Sequence, residues 1–129
     1  MLGPMDAAQA IADLEEISPQ VRDVVVIGVD GVPAGSNLTD EALAGRLADG
    51  ARRLIENAEA FRPGVAQLEV ATLAGSVFVV RDGDRMIAAT TTPEPTVGLV
   101  FYDLKTCLRS IERPARAPDT EEPVDDAAS

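Results

Sequence analysis

The 129-residue chain has no histidine and a single cysteine, Cys107. Without histidine it lacks the commonest near-neutral general base and the commonest metal ligand. One cysteine excludes an internal disulfide and a thiolate zinc cage, and it fits a reducing cytosol. Aromatic residues are only 3% of the chain, so Val, Ile, Leu and Ala must fill the core. Lysine is nearly absent, with only Lys105, and the formal charge is −11. Such a chain has no general attraction for nucleic acid or anionic lipid, and charged partners are expected to present basic surface. It shows no basic-then-apolar leader and no apolar run long enough to span a bilayer, so a cytoplasmic protein without membrane insertion is expected.

Hydropathy patterning supplies the elements. Ala8, Ile11 and Leu14 recur at helical spacing over residues 5–17, and Ser18-Pro19 ends that helix. Residues 21–29 form a strand with apolar side chains on both faces, Val25 and Ile27 on one and Val24 and Val26 on the other. Such a strand belongs mid-sheet, covered above and below. A short return strand, 32–36, carries Pro33 and belongs at an edge. A second helix begins at a Thr39 cap, with Leu38 stapled onto Leu43, and runs to Phe61 before Pro63-Gly64. Three strands follow, near 65–72, 76–81 and 86–91, turning at Ala74-Gly75 and Asp82-Gly83. A third helix carries Val97, Val100, Phe101, Leu104, Leu108 and Ile111 on one face and ends near Glu112. The expected class is α+β, a five-stranded antiparallel sheet with helices on both faces, in the order α-β-β-α-β-β-β-α. One domain spans 1–112. Residues 113–129, with three prolines and five acidic residues, are expected to be a disordered acidic tail. That tail either solubilises the chain or engages a basic partner surface.

The glycines of "VVVIGVDGVPAGSN" invite comparison with a phosphate-binding loop, which joins a strand directly to a helix N-terminus. Here a hairpin and a second strand intervene, and neither GxxxxGK[ST] nor GxGxxG occurs. These glycines serve turns. "RDGDR" is too short for a calcium loop, and Asp82 and Asp84 are expected to be solvated turn residues. No cofactor or metal is implied. Cys107, at the flank of the third helix's apolar stripe, is expected to be a packed small hydrophobe.

Two features suggest association. The strand "VAQLEVAT" has no proline and one charge, Glu69, so it is poorly protected against pairing with another chain. On the second helix, Leu43, Leu47, Gly50, Leu54 and Phe61 form the expected sheet-facing stripe. Ala44, Ala48, Ala51 and Ile55 lie a quarter-turn round, where small residues would admit a second helix, or where helix-favouring alanines line a bland surface. The far side gathers Arg46, Asp49, Arg53 and Glu56, with Arg52 at its margin, including i,i+4 pairs Asp49–Arg53 and Arg52–Glu56. This is either a solvated face or a docking face.

The element order, the segment "ISPQVRDVVVIGVDGVPAGSN", the long alanine-rich helix and the closing "TVGLVFYDLKTCLRSIE" resemble the Roadblock/dynein light chain family. They are most similar to its bacterial branch that includes the gliding-motility regulator MglB. Asp30-Gly31 matches the family's hairpin turn and Gly98 the glycine early in its last helix. Thr96 stands where asparagine is common, and Pro19-Gln20-Val21 replaces the usual Pro-Gly-Val. The resemblance covers residues 5–112. It implies an α/β sandwich of the profilin/Roadblock type and a homodimer whose middle strands pair across a two-fold axis, with the second helices side by side. The implied dimer interface comprises Ala44, Ala48, Ala51, Ile55, Ala66, Leu68 and Val70. The implied role is a non-enzymatic regulator or scaffold that binds a small Ras-like GTPase in a signalling or polarity system. In the MglB branch this extends to stimulating GTP hydrolysis without an inserted arginine finger. Arg46, Asp49, Arg52 and Arg53 are then partner-binding residues. The alternative is a sensory module that cups a small ligand against its sheet.

Overall fold

The computed structural model describes residues 6–111. The elements are α1 (Ala7–Ile17), β1 (Val21–Ile27), β2 (Pro33–Ser36), α2 (Glu41–Phe61), β3 (Gln67–Thr72), β4 (Gly75–Asp82), β5 (Arg85–Thr91) and α3 (Val97–Ser110). Their order is the expected one. All strand pairs are antiparallel, in the spatial order β2-β1-β5-β4-β3. The tail expected over 113–129 lies outside the described residues.

β1 lies inside the sheet, between β2 and β5, and both of its faces are apolar. Val24 and Val26 enter a core with α1 and α3, while Val25 and Ile27 enter a second core beneath α2. On the first side Phe78 meets Phe101 edge to face, with ring centres 4.9 Å apart. The glycine-rich stretch is a hairpin, closed by Gly28 N–H donating to the Val32 carbonyl, with Gly31 at φ 83°. Beyond it, Ser36 and Asn37 complete the sheet through side chains. Asn37 Oδ1 accepts from Val24 N at 2.7 Å, and its amide donates to the Arg22 carbonyl and to Glu15 of α1.

Two expectations about α2 are corrected. Its cap is Asp40 rather than Thr39: the Asp40 carboxylate accepts from Ala42 N at 2.9 Å and Leu43 N at 3.4 Å. A carboxylate there satisfies orphan amides and also meets the positive end of the helix dipole. The faces are also exchanged. Ala44, Ala48, Ala51 and Ile55 are all buried against Val25, Ile27, Val79 and Ala88 of the sheet. The stripe of Leu43, Leu47, Leu54 and Phe61 forms the flank instead, with Phe61 85% exposed. Small side chains let the helix settle close to the sheet, whose valines and isoleucine fill the gap. Those four residues are therefore covered within their own chain and cannot form the bare face of a helix pair.

Candidate functional site

β3 is a sheet edge, as its unprotected sequence suggests. The Ala66 carbonyl accepts from Arg81 N at 2.8 Å. In an antiparallel ladder bonded pairs alternate, so residues 68 and 70 also bond to β4, while Gln67, Glu69 and Ala71 turn their N–H and C=O groups outward. Those outward groups are free to template another strand. The one charge on β3, Glu69, accepts from Ser76 Oγ at 2.8 Å within its own sheet.

Side-chain alternation places Leu68 opposite Val79, in the core beneath α2, and Ala66 and Val70 on the same side. That side has thin cover. α2 lies mainly over β1, β2 and β5, whereas α3 covers β4 and β5 on the other side. Leu68 packs on the same cluster as Leu47 and Leu54 of the α2 flank. Val70 and Leu43 stay 38% and 41% exposed, so apolar surface runs from the flank of α2 towards the free edge.

The charged residues of α2 do form a group. Asp49 is gripped by two arginines, by Arg52 Nη2 at 2.8 Å and Arg53 Nε at 3.0 Å. Arg52 thus turns back to Asp49, in place of the expected pairing with Glu56. Its stem also packs on the β1–β2 hairpin, where a Cβ at Gly31 would lie 3.5 Å from Arg52 Cδ. Among the described residues, Arg46 is exposed and makes no ion pair. Exposed pairs of this kind add little stability.

Several organising residues carry no sequence signal. Glu59, near the end of α2, accepts from Gly64 N and Val65 N and from Arg81 of β4. The Val65 N–H, then the Arg81 guanidinium, hold the Glu59 carboxyl below its ordinary range. Buried Arg85 donates to the carbonyls of Leu108 at 3.3 Å and Ile111 at 3.4 Å, opposing the negative end of α3. Asp82, expected to be solvated, lies 3.7 Å from Arg109 of α3. Cys107 is buried, and its Sγ donates to the Ala10 carbonyl at 3.5 Å. Burial, and then the negative charge of Asp13, push its thiol up to about 12.

Among the described residues, no group of three or more His, Cys, Asp or Glu is placed to hold a metal, and no helix is long and apolar enough to cross a membrane. Open grooves line β2 with α2 (about 510 Å³) and α1 with α3 (about 360 Å³).

No family model and no curated protein matches the chain. Solved structures do. A Roadblock/LC7 domain from Streptomyces avermitilis superposes with a TM-score of 0.70 at 18% identity, covering 82% of this chain and 94% of that one. MglB from Myxococcus xanthus gives 0.57 at 14% identity, covering 81% and 86%. The gliding protein MglB from Thermus thermophilus gives 0.62 at 13%, covering 81% and 84%. The fold is that of the Roadblock/LC7 domains.

Proposed function

We propose that this chain is a Roadblock/LC7 protein of the MglB-like branch. In this reading it is a non-enzymatic homodimer in the cytoplasm that binds a small Ras-like GTPase and regulates or scaffolds it. The observation that carries the reading is the free β3 edge, with outward backbone groups at Gln67, Glu69 and Ala71 and an apolar side of Ala66, Leu68 and Val70. Antiparallel pairing of two such edges would join two five-stranded sheets into one. The α2 flanks of Leu43, Leu47, Leu54 and Phe61 would then cover the thinly protected side of β3 and β4. They replace the alanine face in the interface. The outer surface of α2, with Arg46 and the Asp49–Arg52–Arg53 cluster, remains available to the GTPase. The arginines serve docking, and rate stimulation would come from reordering the GTPase's own catalytic groups.

The test mixes the protein with the Ras-like GTPase encoded nearest to it, loaded with GDP or a non-hydrolysable GTP analogue. Complex formation and hydrolysis rate are both measured. Tighter binding to the GTP-like state supports the reading. Absence of binding in both states overturns the GTPase assignment.

A further inference from the structure

On the sheet face opposite α2, helices α1 and α3 leave an open groove of about 360 Å³. Its floor includes Ala10 and Leu14, both buried, and its rim includes Ile17, which is 61% exposed. Asp103 of α3 lines this groove and is only 6% exposed. Among the described residues it has no hydrogen bond or ion pair, and the other titratable carboxylates facing it, Asp13 and Glu16 of α1, share its sign. The Asp103 oxygens open onto the groove, so three like charges share its wall with no cation among the described lining residues to balance them. The local negative field is also felt by Cys107, whose thiol Asp13 helps to keep protonated.

We infer that this groove is a docking site for a partner protein that inserts an arginine or lysine side chain. The aliphatic stem would lie on Leu14 and Ile17, and the cationic head would meet Asp103 beneath Asp13 and Glu16. The groove is open along two helices, which suits a polypeptide segment more than an enclosed small molecule. A partner with basic surface is also the kind that a chain of charge −11 attracts. The groove lies on the opposite sheet face from the proposed GTPase platform, so both can be filled at once, and the inference does not depend on that reading.

The experiment titrates the full chain with an alanine-based helical peptide carrying one arginine flanked by leucines, and with the same peptide carrying uncharged citrulline. Binding and the Asp103 side-chain carboxyl resonance are followed by NMR. The arginine peptide is expected to bind at least about tenfold more tightly than the citrulline peptide and to move the Asp103 resonance. Asp103→Asn, which keeps the side chain's shape and removes its charge, is expected to fold like the parent and to lose that preference. Equal binding of the two peptides, binding of neither, or full retention of the preference in Asp103→Asn would overturn the inference. So would an Asp103 resonance in the free chain that shifts on Arg113→Gln or Arg116→Gln, because the groove would then belong to the chain's own C-terminal arginines.

Discussion

Arg81 of β4 donates to Glu59 of α2, and the same carboxylate takes the backbone N–H groups of Gly64 and Val65. One side chain therefore fixes the end of α2, the turn after it and the entry to the free edge strand. Its ion pair with Arg81 requires the ionised form, and the carboxyl is held below its ordinary range. A lowered acid contributes stability above its unfolded value and loses it as pH falls through the folded one. Glu59→Gln is expected to lower the unfolding temperature at neutral pH. The gap between the two proteins should close in acid, below the folded value. Thermal melts across pH 2–7 check this.

Gly75 and Thr91 provide a second test. A Cβ on Gly75 would lie 2.0 Å from the Thr91 carbonyl oxygen, and the residue has φ 141°. Neither the clash nor the backbone can relax without moving β5. Gly75→Ala is expected to cost about 3 kcal/mol in urea unfolding.

Cys107 should be inert while the chain is folded. With the thiol raised to about 12 and the side chain buried, its reaction with a thiol reagent at pH 8 is expected to track unfolding. A raised thiol contributes stability that is complete below its unfolded value and is lost as pH climbs towards the folded one. Against Cys107→Ala, the parent should therefore lose stability selectively between pH 9 and 12, measured by denaturant unfolding.

Within the arginine group of α2, the residues should separate by readout. Arg46 and Arg53 are exposed, so Arg46→Ala and Arg53→Ala are expected to weaken GTPase binding while unfolding shifts by under about 0.5 kcal/mol. Arg52→Ala should affect both, because its stem packs over Gly31. Calorimetric binding and thermal melts on the same samples distinguish the cases.

The element order was legible because Val24 and Val26 alternate with Val25 and Ile27 and the helices repeat apolar residues at helical spacing, although α1 buries Ala7, Ala10, Ile11 and Leu14 and leaves the expected Ala8 exposed. The edge positions were legible from Pro33 in β2 and from the lone charge in β3. Periodicity gives the faces of a helix but not which face the sheet takes. In α2 two apolar stripes compete, and the larger one loses because Ala44, Ala48 and Ala51 permit closer approach. Arg85 at the end of α3 and the carboxylate of Glu59 were hidden for another reason. Arg81 lies 22 residues from Glu59, and the carbonyls that Arg85 reaches lie 23 and 26 residues from it, pairings that no local pattern encodes.

The most direct test of the β3 edge is mass in solution. Light scattering of the full chain at micromolar concentration should give twice the 13.5 kDa chain mass. Ala71→Pro removes one outward N–H while leaving the bonded positions 68 and 70 intact. It should raise the dimer dissociation constant at least about tenfold without unfolding the subunit. A parent chain that runs at 13.5 kDa, or a dimer indifferent to Ala71→Pro, would contradict the account.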